Sequence, residues 1–383
     1  MKIAVAQYNP LVGDVEGQVR RVLETVDEVA GSGAELVVFP ELYLVGYPPK
    51  DLLERRWFIA AVEEGLRQIV AHSARHPDLG ILVGTPLPNG GASGKPLVNA
   101  APLAYRGRVE AAVHKSLLPT YDVFDESRYF GPAEAIRPVP FRGEVLGISI
   151  CEDAWNDEAL WPGRRPYDLD PISILAQQGA TLFLNISASP YSVGKESVRY
   201  RLLCNHARRH RTPFLYVNQI GGNDELIFDG RSMALDGTGE PIAVLPSFRE
   251  TLTVVDMATP GEVGAFRPEE EIATVHDALV LGLADYARKT GFSKAVMGLS
   301  GGIDSSVTCA LAVRALGAEN VLGITMPSEY SSAGSVSDSQ RLAENLGIPL
   351  RVIPIADIYQ AYIAALEPHF EGRAMDVTEE NIQ

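Results

Sequence analysis

Cysteine is scarce in this sequence of 383 residues, which contains only Cys151, Cys204 and Cys309. Three cysteines far apart exclude a disulfide framework and offer no clustered metal cage. Basic residues are also few, and the net charge of −16 argues against a nucleic-acid or anionic-membrane surface. No apolar run approaches the ~20 residues of a membrane span. Residues 1–7 become polar too early for a signal peptide, so we expect a reducing, cytoplasmic setting.

What is present is ordinary globular composition, with 46% hydrophobic and 21% charged residues in a length that suits two or three domains. Apolar runs predict strands near residues 3–6, 36–39, 81–84, 146–151, 181–186 and 213–218. Helical spacing predicts helices over residues 14–30, with Asp14 as N-cap, 51–71 and 197–211. Hairpins are expected within residues 97–113 and 232–255. The pattern predicts a layered α/β domain with a mixed sheet.

The amino-acid composition changes at residues 258–271, where Pro, Gly and a run of glutamates indicate a linker. Strands at residues 295–299, 321–326 and 350–353 then alternate with helices at 272–289, 305–316 and 335–346, which is a doubly wound parallel pattern. We expect three segments, residues 1–257, 258–271 and 272–383. The last is short for a doubly wound domain and ends in the first turn of a helix, so we expect it to be truncated.

A glycine-rich loop, SGGIDSS at residues 300–306, joins a strand to a helix. Glycines let the backbone approach a phosphate, and the helix N-terminus supplies N–H donors. No lysine follows, so it is not a Walker A loop. The alternative is a tight turn with Ser305 as N-cap.

The whole string resembles the SGGxDS loop of the PP-loop ATP pyrophosphatases, which adenylate a carboxylate or carbonyl oxygen and release pyrophosphate. The resemblance implies ATP as co-substrate, no tightly bound organic cofactor, and Mg²⁺ bound at Asp304. The implied ATP-binding residues are Gly298, Leu299, Ser300, Gly301, Gly302, Ile303, Asp304 and Ser305.

Three chemically suited residues follow strands in the first domain: Glu41, Lys115 and Cys151. Amide cleavage needs a nucleophile, a proton shuttle and a cation for the oxyanion, and a thiol, a carboxylate and an ammonium can supply them. Each residue alone is more often a solvated or capping charge, or a core cysteine. The short strings around them resemble the three signatures of the nitrilase/amidase superfamily, which implies an αββα sandwich. Cys151 is then the nucleophile, Glu41 the base and acid, and Lys115 the oxyanion-side cation.

Amidase and adenylating signatures in one chain, with the strings at residues 46–53 and 121–130, resemble the glutamine-dependent NAD⁺ synthetase family. That resemblance implies ammonia release from glutamine and its use to amidate adenylated deamido-NAD⁺. Tyr121, Ser189 and Lys195 would hold glutamine, although a loop lysine is equally at home in solvent. Asn381 would contact deamido-NAD⁺. A homo-oligomer, an octamer by resemblance, and an ammonia tunnel are also implied.

Three alternatives remain open at this point. The chain is an amidase with an incomplete synthetase domain, a non-catalytic nucleotide sensor, or another PP-loop amidoligase with a different acceptor.

Overall fold

The computed structural model describes residues 1–90, 94–158, 160, 167–259, 266–328 and 331–369. The chain divides into two compact units, Met1–Ala278 and Leu279–Gln383. The predicted helix near residues 376–380 lies outside the described residues.

The first unit is built from two large sheets. Its strands are β1 (Lys2–Gln7), β2 (Leu36–Val38), β3 (Gly80–Leu82), β4 (Thr85–Pro88), β5 (Leu97–Tyr105), β6 (Arg108–His114), β7 (Val139–Phe141), β8 (Glu144–Ile150), β9 (Leu182–Ser187), β10 (Phe214–Asn218), β11 (Ile220–Asn223), β12 (Leu226–Asp229), β13 (Met233–Leu235), β14 (Pro241–Val244) and β15 (Thr251–Asp256). One sheet has the order β15-β1-β2-β3-β5-β4 with β6 paired to β5, and the other the order β14-β13-β10-β9-β8-β7. Strands β11 and β12 form a separate ribbon. Both large sheets mix parallel and antiparallel pairs, as predicted.

Helices also begin in the first unit. They are α1 (Val15–Val29), α2 (Arg56–Ser73), α3 (Glu126–Tyr129), α4 (Pro171–Gln177), α5 (Lys195–His210) and α6 (Glu271–Thr290), the last of which continues into the second unit. Among the helices that the structure describes, none is both long and apolar enough to cross a bilayer.

Most strands of the two large sheets are buried on both faces, which fixes the layering. On β1, Ile3 and Val5 pack against the opposite sheet, while Ala4 and Ala6 face the cluster that contains α1 and α2. A third cluster joins α4 and α5 to the outer face of the second sheet. Alternate side chains of one strand therefore serve two interfaces, as strands covered on both sides require. The layer order is helix, sheet, sheet, helix, and the predicted αββα sandwich is confirmed.

Several helix boundaries differ from those predicted, among them the starts of the second, fifth, seventh and eighth helices. The segment expected as one helix over residues 51–71 is a 3₁₀ turn, Lys50–Glu54, followed by α2, because Arg55 is extended and breaks the helix. Helix α5 begins at Lys195, two residues earlier than predicted. By contrast, Asp14 caps α1 as expected, with its side chain accepting a hydrogen bond from the Gly17 N–H at 2.9 Å.

The second unit contains a three-stranded parallel sheet with helices between the strands. Its elements are β16 (Ala295–Gly298), α7 (Ile303–Leu316), β17 (Val321–Thr325), α8 (Ala333–Leu346), β18 (Leu350–Val352) and α9 (Ala356–Leu366), and the strand order is β16-β17-β18. A small core of Leu299, Cys309, Ala312, Val321 and residues of α8 holds them together. The predicted doubly wound pattern is confirmed.

Candidate active site

The three predicted catalytic residues lie at the ends of strands from both sheets. Glu41 lies three residues after β2, Lys115 directly follows β6, and Cys151 directly follows β8. All three are buried, with the Glu41 and Lys115 side chains fully enclosed. Burial in a shared core contradicts the solvated or capping role that a strand-end glutamate and a lysine usually have.

Glu41 and Lys115 form a direct ion pair. The Lys115 Nζ atom lies 2.8 Å from Glu41 Oε1. The same oxygen accepts a hydrogen bond from Asn99 Nδ2 at 2.7 Å, and Glu41 Oε2 accepts one from the Ala188 backbone N–H at 2.9 Å. Because every bond to this carboxylate comes from a buried group, its orientation is fixed before any substrate binds.

Lys115 has a second buried carboxylate partner, Glu126. Its Oε1 atom lies 2.8 Å from Lys115 Nζ and accepts a hydrogen bond from the Tyr47 hydroxyl at 2.9 Å. Burial raises the pKa of Glu126 to about 7, against the lowering effect of Lys115. Burial alone lowers the pKa of Lys115, but the charges of Glu126 and Glu41 outweigh it and hold that pKa well above its ordinary value. Lys115 is therefore a permanent cation at neutral pH.

Cys151 occupies a constrained turn between β8 and the 3₁₀ segment Cys151–Ala154. Its φ of 45° lies in the left-handed region, which L-residues adopt only where the surroundings impose it. Burial, followed by the charge of Glu41, raises the pKa of the Cys151 thiol well above its usual range, while Lys115 acts in the opposite direction. The sulfur is therefore a thiol at rest and needs a base at the moment it reacts.

Asp153 fastens this turn to the segment that carries Lys115. Its Oδ1 atom accepts hydrogen bonds from the backbone N–H groups of Ser116 at 2.9 Å and Leu117 at 2.8 Å. Its Oδ2 atom accepts one from the Ile150 N–H at 3.0 Å. Burial raises the pKa of Asp153 to about 6, against these backbone donors. One carboxylate thus holds two chain segments from different sheets together beside the cysteine.

A cavity of about 370 Å³ opens onto Cys151. The three residues predicted to hold glutamine, Tyr121, Ser189 and Lys195, all line it. Lys195 is the first residue of α5 and is partly buried, so it is not a solvated loop lysine. The structure therefore brings the three predicted glutamine-binding residues to the cavity that Cys151 lines.

The cavity also carries charges of both signs. Glu152 Oε1 accepts hydrogen bonds from the Tyr121 hydroxyl at 2.9 Å and the Tyr167 hydroxyl at 2.7 Å. Lys195 Nζ donates to the Pro190 carbonyl at 3.0 Å and lies 5.3 Å from the centre of the Trp155 ring. Burial, and next the nearby Arg199 charge, lower the pKa of Lys195. A zwitterionic ligand would find an anion and a cation here.

Sequence reasoning missed Glu126, Glu152 and Asp153 as functional residues. Each stands inside a string that the sequence already singles out, residues 121–130 or 150–155. For Glu152 and Asp153 the available signal was their position directly after Cys151. The buried contacts of Glu126 and Asp153 are made with residues more distant in sequence.

The glycine-rich loop of the second unit lies between β16 and α7. The helix begins at Ile303 with Gly302 as N-cap, so the alternative of Ser305 as N-cap is wrong. Gly301 has a φ of 78°, and a Cβ there would lie 2.5 Å from the Ser335 carbonyl oxygen. Only glycine fits this close approach of α8.

The remaining residues of this loop divide into packed and exposed groups. Leu299 is buried in the core of the unit, whereas Gly298, Ser300, Ile303 and Asp304 are exposed. Ser300 Oγ and Ser305 Oγ lie 3.1 Å apart, and the Ser306 hydroxyl donates to the Gly302 carbonyl at 2.8 Å. Asp304 lies in the first turn of α7, and the predicted Asn381 lies outside the described residues. The arrangement offers exposed backbone N–H groups and hydroxyls at a helix N-terminus, which suits phosphate.

Comparison with known families divides the chain in the same way. The carbon-nitrogen hydrolase family matches residues 2–265, and the NAD synthase family matches residues 275–383. The first match contains Glu41, Lys115 and Cys151, and the second contains the glycine-rich loop.

Curated relatives extend over the whole chain. The glutamine-dependent NAD(+) synthetase of Synechocystis sp. is 44% identical, and the alignment covers 100% of this chain and 69% of the relative. That of Thermotoga maritima is 37% identical and covers 100% and 70%.

Solved structures agree with the relatives. A glutamine-dependent NAD+ synthetase from Acinetobacter baumannii in complex with ADP matches with a TM-score of 0.88 at 32% identity, covering 100% of this chain and 70% of that one. A nitrilase-superfamily amidase from Nesterenkonia matches with a TM-score of 0.56 at 25% identity, covering 67% of this chain and 90% of that one. The chain belongs to the glutamine-dependent NAD(+) synthetase family, enzymes that take nitrogen from glutamine and use ATP to form NAD⁺.

Proposed function

We propose that Cys151, Glu41 and Lys115 form the glutaminase centre of this synthetase. The observation that carries the proposal is the enclosed Lys115 ammonium, which is paired with Glu41 beside a cysteine that lines a cavity. Glu41 takes the thiol proton as Cys151 sulfur attacks the side-chain amide carbon. Lys115 stabilises the negative charge that develops on the amide oxygen.

The rest of the cycle returns each group to its starting state. Glu41 gives its proton to the leaving nitrogen, ammonia departs, and a thioester joins the glutamyl group to Cys151. Glu41 then takes a proton from water as the water oxygen attacks the thioester carbon, and it returns that proton to the Cys151 sulfur as the carbon–sulfur bond breaks and glutamate is released. Because the thiol pKa is raised by burial, proton removal and attack on the amide are coupled.

Glutamine is bound, in this proposal, by the opposite charges of the cavity. Lys195 pairs with the α-carboxylate, and Glu152, oriented by the hydroxyls of Tyr121 and Tyr167, pairs with the α-ammonium. Ser189 and Tyr121 complete the polar lining. These contacts are the same for glutamine and for the glutamyl group bound to Cys151. Release of glutamate therefore depends on breaking the thioester bond and not on a change in these contacts.

The synthetase half uses the glycine-rich loop. The backbone N–H groups of Gly301 and Gly302 and the hydroxyls of Ser300 and Ser305 bind ATP phosphates. The Asp304 carboxylate with neighbouring hydroxyls is the hard oxygen donor set that Mg²⁺ prefers, and Mg²⁺ when bound offsets phosphate charge. Adenylation of deamido-NAD⁺ releases pyrophosphate, and ammonia displaces AMP to give NAD⁺. By resemblance, Asn381 contacts deamido-NAD⁺.

The proposal also covers the domain bounds, the localisation and the assembly of the enzyme. We assign the glutaminase to residues 1–257, a linker to residues 258–271 and the synthetase to residues 272–383. By resemblance the enzyme is a cytoplasmic homo-oligomer, with ammonia passing between sites through a tunnel.

The test is NAD⁺ formation from deamido-NAD⁺ and ATP, with glutamine or ammonium as the nitrogen source. Cys151→Ala is expected to lose the glutamine-driven reaction and keep the ammonium-driven one. Cys204→Ala, at another buried cysteine, serves as the control and is expected to keep both. Glutamine-driven NAD⁺ formation by Cys151→Ala would overturn the assignment of the nucleophile.

A further inference from the structure

A second cluster of titratable side chains joins helices α1 and α2. Asp27 of α1 lies opposite His72 of α2 and His76 in the turn that follows. The Nε2 atom of His72 is 2.8 Å from Asp27 Oδ1, and that of His76 is 2.6 Å from the same oxygen. The mechanism above uses none of these residues. We propose that Asp27, His72 and His76 bind one divalent transition-metal ion of the zinc class.

The chain holds the two imidazoles on one side of the end of α2. The Arg75 N–H donates to the His72 carbonyl at 2.9 Å, and the His76 N–H donates to the Ser73 carbonyl at 3.3 Å. Both bonds span three residues, as in a 3₁₀ turn, so the chain keeps turning beyond Ser73 and the centres of the two rings lie 5.4 Å apart. Side chains four residues apart on a helix are the spacing that lets two histidines bind one metal.

The third ligand is positioned by core packing. Val26 and Val29, which flank Asp27 on α1, belong to the same hydrophobic cluster as Ile69 of α2. The approach of the two helices is therefore set by buried apolar contacts, and Asp27 is held near the histidines without depending on their bonds. The three candidate ligand atoms all lie within 4.8 Å of one another.

The donor set selects the class of ion. Two imidazole nitrogens and one carboxylate oxygen suit zinc and its neighbours, which accept nitrogen ligands in tetrahedral sites. Magnesium and calcium prefer sites made of oxygen ligands alone. Three protein ligands leave a fourth position for water, and the half-exposed Asp27 side chain keeps the site accessible from solvent.

Only a small rearrangement is needed to admit the ion. Zinc–ligand bonds of about 2.0–2.2 Å place neighbouring ligands roughly 3.3 Å apart in a tetrahedron. The observed separations of 2.8 and 2.6 Å therefore require the carboxylate to withdraw from the two rings by roughly 0.5–0.7 Å. Asp27 is free to do so because its side chain is 51% exposed, whereas the His72 side chain, 8% exposed, stays fixed. Bound metal would cross-link α1 to α2.

Calorimetric titration of the full chain with Zn²⁺ tests the proposal, using Asp27→Asn and His76→Gln as variants. His276→Gln is the matched control, because His276 also contacts a carboxylate, Asp277 at 2.8 Å, but has no second histidine in its pair. We expect one ion per chain in the wild type and the control. Loss of even an outer partner weakens metal affinity by about 10–100-fold, so loss of a direct ligand is expected to weaken it at least about 10-fold.

The absorption spectrum of the chain with Co²⁺ in place of Zn²⁺ distinguishes binding at this site from binding at a cysteine. An ion held by nitrogen and oxygen gives no thiolate-to-cobalt charge-transfer band, whereas binding at Cys151 would give one. This measurement on the wild type stands even if a variant fails to fold, and unchanged glutaminase activity of each variant verifies its fold. A charge-transfer band, affinity unchanged in both variants, or no binding by the wild type would each overturn the proposal.

Discussion

The glutaminase centre and the glycine-rich loop place their functional groups in opposite environments. Glu41, Lys115 and Cys151 are buried and held by bonds from surrounding residues, while Asp304 and Ser300 are exposed at a helix N-terminus. A charge-stabilising site gains strength where water is excluded, so its groups must be fixed by the fold in advance. A phosphate loop instead presents donors that water satisfies until the ligand replaces it. The two regions should therefore respond differently to substitution.

Removing the central cation should have the largest effect. Lys115→Met leaves two buried carboxylates without their partner, which is expected to lower the free energy of unfolding by about 3–5 kcal/mol and to abolish glutamine hydrolysis. The control is Lys50→Met, because Lys50 pairs with Asp224 at 2.8 Å on the surface and such pairs contribute about 0–1 kcal/mol. Urea unfolding and glutaminase assays measure both effects. Equal stability losses would contradict the claim that burial makes the Lys115 pairs matter more than a surface ion pair.

Asp153→Ala should come next, because it removes the acceptor of three backbone N–H groups around Cys151 and Lys115. Orphaned buried donors cost about 1–3 kcal/mol, and we expect the upper end of that range. Since the residue positions the catalytic groups and does not line the cavity, kcat should fall more than KM rises. Asp170→Ala, which removes the N-cap of α4, is the control and should leave kcat unchanged. A pure KM effect in Asp153→Ala would refute the positioning role.

In the loop, backbone shape should matter more than buried charge. Gly301→Ala places a Cβ 2.5 Å from the Ser335 carbonyl oxygen and is expected to cost about 2 kcal/mol and to suppress ammonium-driven NAD⁺ formation. Gly291→Ala is the matched control, since its φ of 82° is similar but a Cβ there meets no atom within 4 Å. Glutamine hydrolysis should survive both substitutions. Equal synthetase activity in the two variants would show that the close approach to α8 is unimportant.

A pH dependence of stability is expected from Glu126. Its pKa rises from 4.5 to about 7 on burial, so the folded state binds more protons than the unfolded chain between these values. The free energy of unfolding should therefore fall as the pH rises through this window. Glu126→Gln should lose that slope, and Glu64→Gln on the exposed face of α2 should keep it. Urea unfolding at about pH 5 and about pH 7.5 measures the slope, and an identical slope in Glu126→Gln would contradict the assignment.

The sequence singled out the three proposed catalytic residues but not the charged groups that contact them. Glu41, Lys115 and Cys151 stand in short strings that resemble known signatures, and strand periodicity placed each at a strand end. Glu126 and Asp153 carry no comparable local pattern, because their roles arise from contacts with Lys115 and with Ser116 and Leu117 across the fold. Side-chain burial of this kind depends on how the two sheets pack, which periodicity does not specify.

Some predicted helix boundaries were wrong because the local backbone conformation departs from what the side-chain pattern indicates. An extended Arg55 divides the segment predicted as one helix over residues 51–71, although the apolar spacing continues through it. Gly302 rather than Ser305 caps α7, so the helix begins three residues earlier than a Ser305 cap would place it. In contrast, a layered α/β domain was predictable from strands such as β1, which are apolar on both faces, and the αββα order was implied by the resemblance to the nitrilase superfamily.

The most direct test of the account is to quench the enzyme with acid during glutamine turnover and locate any covalent adduct by mass spectrometry. The proposed mechanism predicts a glutamyl group, glutamine less ammonia, on the peptide that contains Cys151, and no adduct in Cys151→Ala. Glutamate release with the adduct on another residue, or with Cys151→Ala still turning over glutamine, would contradict it.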